Sequence, residues 1–321
     1  MSTPLEAFGS SIDLNASKVL NPPSLIFLCG GTIGTGPGIH PSLRALFLQR
    51  LKEDHPDLSN RVLLAEEANR WSKTAQHYDH LFDLEDDLAH LSAVIMLFVE
   101  SPGSIAELGA FCRLDPLRKK LVAVLEHSHQ DEESFIQDGP VAFLTKHDPR
   151  SVLFYPWLGP PNEHGVRPLD PEAAKETVAR LLDRIEEATS AITKEEKFDQ
   201  GNAGHCILLV ADFVKLGAIV KKGELESLLV GVGLHVSRRL ERYLFLLEKL
   251  KLIEKTKYGN STYYLGRGSP SEYVHYSLKS KSQTPDRIRL QSDLLKILKP
   301  LDRDRGRALE AHSKKTDNGN G

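Results

Sequence analysis

Six consecutive apolar residues, Val94 to Val99, run into Glu100-Ser101-Pro102-Gly103-Ser104 and then Ile105-Ala106-Glu107-Leu108-Gly109-Ala110-Phe111. An apolar run this short, β-branched at both ends, suits a strand buried on both faces of a parallel sheet. Pro102 and Gly103 stop such a strand, and Ser104 can cap a helix running through Ala110. The stretch therefore predicts strand, tight turn and helix, with Glu107 in the first helical turn. In open α/β sheets ligands gather outside the carboxyl ends of the strands, where this turn falls. Glu100 and Glu107 then flank one turn at a pocket mouth. Two roles stand open for Glu107. Ser104-x-x-Glu107 has the spacing of a capping box, in which the glutamate reaches back to the cap residue's N–H. The other role is chemical: a carboxylate facing an anomeric carbon, as nucleophile or as stabiliser of an oxocarbenium-like transition state.

The flanking sequence repeats the pattern. Ser24 to Cys29 reads as a first core strand, ended by Gly30-Gly31-Thr32, a turn that lets a ligand approach the backbone or simply reverses the chain. Residues 41–51 carry Leu43, Leu46, Phe47 and Leu51 at helical spacing. Arg61 to Glu66 reads as a second strand, and residues 68–80 as a mixed loop holding Trp71, His77, Tyr78, Asp79 and His80. Such a loop can lid a pocket, with Tyr78 and Asp79 as candidate substrate contacts. Leu81, Leu84, Leu88 and Leu91 mark a helix before the central strand, and 120–125 and 152–155 add two more strands. Strand and helix alternate as in an α/β doubly wound parallel sheet. A long charged helix is expected over 171–197.

At 321 residues the chain is long enough for two cores. Its net charge of −3 hides an asymmetry: residues 1–200 carry 19 Lys and Arg against 31 Asp and Glu, residues 201–310 carry 20 against 12. An acidic front and a basic back imply units with different partners, the basic one suited to phosphate-rich surfaces. Three distant cysteines, Cys29, Cys112 and Cys206, support neither a disulfide framework nor a zinc site, and His127 and His129 lack a third ligand. No metal or cofactor is expected. Residues 1–23 read as a polar, extended lead-in without a signal peptide, and no apolar run approaches spanning length, so a soluble cytoplasmic protein is expected.

Gln200-Gly201-Asn202-Ala203-Gly204 reads as a boundary. Beyond it come helices near 206–216, 221–229 and 237–250, then short strands at 252–257 and 262–265 about a Gly259-Asn260 turn. Three helices and a hairpin of this size resemble a winged helix-turn-helix domain. Arg238, Arg239 and Arg242 on its third helix, with Lys255 and Lys257 on the wing, would contact phosphates; the same fold also serves as a protein-docking module. The expected division is 1–199 for the α/β domain and 200–310 for the winged helix with a helical extension over 286–299. Residues 311–321 would form a disordered tail.

Phe27-Leu28-Cys29-Gly30-Gly31, taken with Glu100 through Phe111, resembles the nucleoside 2-deoxyribosyltransferase-like fold. The arrangement is most similar to the two-domain effector proteins of bacterial retrons, which join such a domain to a winged helix. That resemblance implies an N-glycosidase toxin of anti-phage defence that cleaves NAD, governed by a retron reverse transcriptase and its RNA-linked multicopy single-stranded DNA. It implies that Glu107 is the catalytic carboxylate and, more loosely, that Glu100 touches the sugar. Ser101, Gly103 and Ser104 would hold ribose or phosphate oxygens at the helix N-terminus, with Gly30, Gly31 and Thr32 as the facing wall. NAD enters as substrate. The alternatives are a deoxyribosyltransferase or nucleotide hydrolase of other specificity, and a DNA-binding regulator whose front half senses a nucleotide.

Overall fold

A computed structural model describes residues 2–20, 25–34, 41–74, 77–190, 194–235, 237–267, 272–280 and 286–318. In chain order its elements begin with α1 (Pro4–Ser10), β1 (Ile12–Leu20), β2 (Leu25–Cys29), α2 (Leu43–Asp54), α3 (Pro56–Ser59) and β3 (Val62–Leu64). There follow α4 (Ala65–Thr74), α5 (Leu81–Leu91), β4 (Ser92–Phe98), α6 (Pro102–Phe111), α7 (Asp115–Arg118) and β5 (Leu121–Glu126). Next are α8 (Ala142–His147), β6 (Val152–Tyr155), α9 (Pro171–Ser190), β7 (Glu195–Lys197), α10 (Ala203–Leu216), β8 (Ile219–Val220) and α11 (Lys222–Gly231). The last are α12 (Ser237–Lys249), β9 (Ile253–Tyr258), β10 (Ser261–Gly266), β11 (Val274–Leu278), α13 (Arg287–Leu301) and α14 (Arg305–Asn318).

The chain divides into two compact units. One holds residues 23–74 and 79–192; the other holds 1–22, 75–78 and 193–321. The first is an α/β unit with a five-stranded parallel sheet in the order β3-β2-β4-β5-β6. The chain moves outward from β2 to β3 and then back to β4, so the strand order reverses between β2 and β4. Alternation along the strands sends Ile26, Leu28, Val94, Met96, Phe98, Val122 and Val124 to one face. There they pack with Leu43, Phe47 and Leu51 of α2 and Val178, Leu181 and Ile185 of α9. Phe27, Cys29, Ile95 and Leu97 alternate to the other face and are equally buried; α5 packs on β2 and β4 through Leu84 and Leu88.

The second unit is built on α10, in which every residue but Lys215 is buried. Asp212 of this helix accepts bonds from the Tyr273 backbone N–H at 2.8 Å, the Tyr276 hydroxyl at 2.7 Å and the Arg287 guanidinium at 3.0 and 3.1 Å. A buried carboxylate so surrounded ties β11 and α13 to the central helix. Around it lie α11, α12 and an antiparallel sheet in the order β8-β10-β9, with α13 and α14 beyond. A further antiparallel sheet has the order β11-β1-β7, with β1 central.

Four expectations change. Residues 4–20 are not an extended lead-in: Thr3 and Glu6 close a capping box on α1, and β1 belongs to the unit of the C-terminal half. Residues 65–74 are helical, against an expected second strand reaching Glu66 and an expected loop starting at 68, because Glu66 and Glu67 begin a helix that Lys73 ends with charges favouring its dipole. The long charged helix stops at Ser190, and 195–197 pair as a strand with β1. The tail expected to be disordered from 311 continues α14 as far as Asn318. Among the described residues no helix is long and apolar enough to cross a membrane.

Candidate active site

Ser101, not Ser104, caps α6. Its backbone is extended (φ −149°, ψ 160°), and Pro102 at the first helical position presets the turn that follows. The Ser101 hydroxyl accepts the Ser104 N–H at 3.2 Å, and the Ser104 hydroxyl accepts the N–H groups of Ser101 at 2.9 Å and Glu100 at 3.0 Å. The box is therefore closed by two serines, and Ser104 is buried inside it. Glu107 lies one turn further on with no capping duty.

Glu100 is drawn into the backbone instead. Its carboxylate accepts the N–H of Leu43 at 2.6 Å and of Arg44 at 3.3 Å, so it holds the N-terminus of α2. Burial pushes its carboxyl up, against those two donors. Gly31 is constrained by the same carboxylate: a Cβ there would stand 2.6 Å from Glu100 Oε2. Gly30 has φ +128°, and a Cβ would meet the Phe98 carbonyl at 2.3 Å. The glycine pair is thus required by the close approach of the β2 turn to the end of β4.

Arg44 fills the space beneath that turn. Its fully buried side chain makes a bidentate pair with Glu66 at 2.6 and 2.7 Å, and donates to the carbonyls of Leu28 at 2.8 Å and Gly31 at 2.9 Å. Burial would raise the Glu66 carboxyl, but the Arg44 bonds and charge hold it below its usual range.

Glu107 has no such partner. Its Oε2 is buried and makes no hydrogen bond. Burial pushes its pKa up to about 7, opposed by the Arg44 charge and reinforced by Glu66. Glu85 of α5 stands nearby, buried, and burial with the charge of Glu107 pushes it up to about 7 as well. Cys29 ends β2 in the same place; burial, Glu107 and Glu85 push its thiol well above the ordinary range. Side chains from α2, α4, α5 and α6 thus converge on the carboxyl end of β2, beside the point where the strand order reverses.

On the opposite flank of α6, a cavity of about 700 Å³ opens over the ends of β2, β4, β5 and β6. Gly31, Thr32, Glu100, Ser101 and Ile105 line it, with Trp157 and Arg167 on the far wall. Glu107 is two positions along from Ile105, about 200° around the helix, and does not line it. Gly103 is exposed at the helix start, Gly30 sits behind Gly31, and Asp79 is exposed. Among the described residues no three His, Cys, Asp or Glu side chains could hold a metal ion.

Tyr78 belongs to the other unit. It is buried there, its ring lies 4.6 Å beneath the Arg242 guanidinium, and its hydroxyl donates to the Arg242 carbonyl at 3.4 Å. Arg242 is accordingly packed on an aromatic ring. Arg238 and Arg239 are exposed on α12. Lys255 and Lys257 share one exposed face of β9, and Glu254 on the other face pairs with Arg267 and His312. Sequence reasoning missed Arg44, Glu66 and Glu85. Arg44 does leave a trace, as the one charge on the inward stripe Arg44, Leu48, Leu51. Glu85 leaves a weaker one at the edge of the Leu84–Leu88 stripe.

STM3845 retron effector proteins match this chain over residues 40–255. The chain belongs to that retron effector family. A protein of the Ec73 retron of Escherichia coli, named as a proposed ribosyltransferase and DNA-binding protein, is 27% identical over 270 residues, 80% of this chain and 82% of its own. The corresponding protein of the Ec86 retron, also from Escherichia coli and with the same proposed role, is 38% identical over 128 residues, 40% of this chain and 39% of its own. The Ec86 protein carries the higher identity over less than half of either chain. The match to Ec73, by contrast, takes in most of both chains. Both relatives are thus retron proteins with a proposed ribosyltransferase and DNA-binding role.

Proposed function

We propose that this retron effector is an N-glycosidase that cleaves NAD or a related nucleotide, with Glu107 as the catalytic carboxylate. The observation that carries the reading is the Glu107 side chain: relieved of helix capping, half-buried, with one buried oxygen lacking any partner, at the sheet's switch point. In the reaction the bond from C1′ of the ribose to the base nitrogen breaks and the electron pair leaves with the base. Nicotinamide departs neutral from its cationic linkage, so no strong acid is required. The ionised Glu107 stabilises the positive charge at C1′ or bonds to it transiently. Water then supplies the hydroxyl and releases a proton. Arg44 and Glu66 neutralise one another and fix the β2 turn that faces the sugar. Glu100, bound to two backbone N–H groups, acts by holding that turn; Gly31, Thr32 and Ser101 line the cavity on the other flank of α6 from Glu107, so in this reading they hold the phosphates and not the reacting ribose carbon.

The second unit serves as a winged-helix module that docks on the reverse transcriptase and its RNA-linked DNA. Arg238 and Arg239 on α12 and Lys255 and Lys257 on β9 are its phosphate contacts, while Arg242 and Tyr78 support α12. The test is nicotinamide release by the wild type and by Glu107→Gln, each alone and with the cognate reverse transcriptase complex. Release by the wild type and none by an equally folded variant supports the assignment. Equal release removes Glu107 from catalysis. No release by either in both states overturns the NAD reading and favours a nucleotide-sensing regulator.

A further inference from the structure

Between β6 and α9 the chain doubles back on itself. The Gly159 N–H donates to the Pro168 carbonyl at 2.8 Å and the Asp170 N–H to the Trp157 carbonyl at 2.9 Å, so residues 157–170 form a hairpin arm. Arg167 pins this arm to the end of β5. Its Nε donates to the Gly159 carbonyl at 3.0 Å and its Nη2 to the Leu158 carbonyl at 3.1 Å. Its Nη1 donates to the Ser128 hydroxyl at 2.7 Å and to the Glu126 carboxylate at 3.5 Å. Glu126 is only 3% exposed and also accepts the Ser128 N–H at 2.7 Å.

The N–H groups of a guanidinium all lie in its plane. These four bonds spend most of the Arg167 edge on the protein, and Glu126 balances its charge, so little is left with which to clamp a phosphate. The side chain nevertheless lines the cavity over the ends of β2, β4, β5 and β6, 35% exposed. What it can offer a ligand there is its flat face. Ile105 of α6 and Val166 beside Arg167 line the same cavity, 41% and 59% exposed, and both are apolar. The opposite end of the cavity carries the hydroxyls of Thr32 and Ser101. Its volume of about 700 Å³ falls within the roughly 300–1,000 Å³ of small-molecule sites.

We propose that this end of the cavity is a nucleobase subsite, in which the face of Arg167 stacks on the planar base of the nucleotide half that is not released, with Ile105 and Val166 as its apolar contacts. Stacking on a guanidinium combines dispersion with cation–π attraction and needs no edge donors. That the base is the adenine of a dinucleotide rests on the N-glycosidase reading; the stacking subsite does not. Under that reading the bond breaks on the Glu107 flank of α6 while the retained half is gripped on the other. Binding energy from a part of the substrate that does not react then serves the part that does, and NAD is preferred to nicotinamide mononucleotide.

The test is calorimetric titration of the full chain with AMP and with ribose 5-phosphate, which differ by the base. The wild type should bind AMP about tenfold more tightly. Arg167→Lys keeps the charge and loses the face, so it should close that gap while leaving ribose 5-phosphate binding unchanged. No preference for AMP in the wild type overturns the subsite. Equal weakening of both ligands in the variant overturns the platform and leaves Arg167 as a strap for the arm. If Arg167→Lys is poorly folded, Ile105→Ser decides at an exposed position of α6: it should narrow the gap, and an unchanged gap overturns the subsite. Where the wild type releases nicotinamide, Arg167→Lys should raise KM for NAD and leave that for nicotinamide mononucleotide as it is. Absence of turnover overturns the N-glycosidase reading alone, and the AMP titration still decides the subsite.

Discussion

Arg44 and Glu107 make opposite demands on the same turn. Arg44 donates to carbonyls that close the end of β2 and pairs with a half-exposed Glu66. In Arg44→Met those carbonyls lose their donor, which should cost about 1–3 kcal/mol, read as a lower urea midpoint at unchanged slope. Removing the positive charge should also raise the Glu107 carboxyl further, since Arg44 opposes the upward push on it, and under the proposed N-glycosidase reading the acidic limb of turnover should move to higher pH. Glu107→Gln should behave differently. Its carboxylate caps nothing and one of its oxygens is buried without a partner, so its melting temperature at pH 7 should equal or exceed that of the wild type. A clear drop would mean that the side chain is structural. The sequence was sufficient to single out Glu107 but not its freedom. Ser104-x-x-Glu107 and Ser101-x-x-Ser104 are both legitimate cap spacings, and the first-turn proline that favours Ser101 is a stronger constraint than the identity of the residue three positions on. Glu85 was hidden because burial of an acid beside a leucine stripe depends on which helix packs against it.

At the scale of elements, caps and corners carry the stability that the site needs. Ser101→Ala removes the α6 cap and should cost about 1 kcal/mol, seen as a reduced unfolding midpoint and, if the site is assembled on α6, as reduced turnover. In the second unit, Asp302 follows α13 and meets Lys221 at 2.8 Å and the Tyr263 hydroxyl at 2.6 Å. Burial works against its charge, but these bonds outweigh it and hold the carboxyl down at about 2. A depressed acid stabilises above its unfolded pKa and loses that contribution as pH falls through the folded value. Asp302→Asn should therefore flatten the loss of melting temperature between about pH 4 and pH 2. Long periodic elements such as α12 and α13 were readable from their leucines. Helix α4 was not, because Trp71 and its polar neighbours resemble a loop until the acidic start and basic end are weighed together.

For the whole molecule, the charge asymmetry found in the sequence becomes a surface in the second unit. Exposed Lys255 and Lys257 alternate on β9 while Glu254 turns away to its own partners. If this face holds nucleic acid, Lys255→Glu with Lys257→Glu should reduce the slope of log affinity against log salt by about one for each phosphate that is no longer neutralised. An unchanged slope would point to docking on protein. The parallel sheet was legible from its apolar runs, since strands buried on both faces have little choice of composition. The origin of β1 was not, because a strand's partner can lie anywhere along the chain, here with 274–278 and 195–197. That pairing makes the α/β unit an insertion within the other. On the ribosome, α1 and β1 emerge before the α/β unit but wait for residues 274–278 before β11 can flank them. The α/β unit can complete its sheet as soon as β6 is out, whereas the other closes only once β11 has followed. A product cut off after α9 would then carry the α/β sheet without the strands that flank β1, so the order of synthesis itself decides which unit can exist alone.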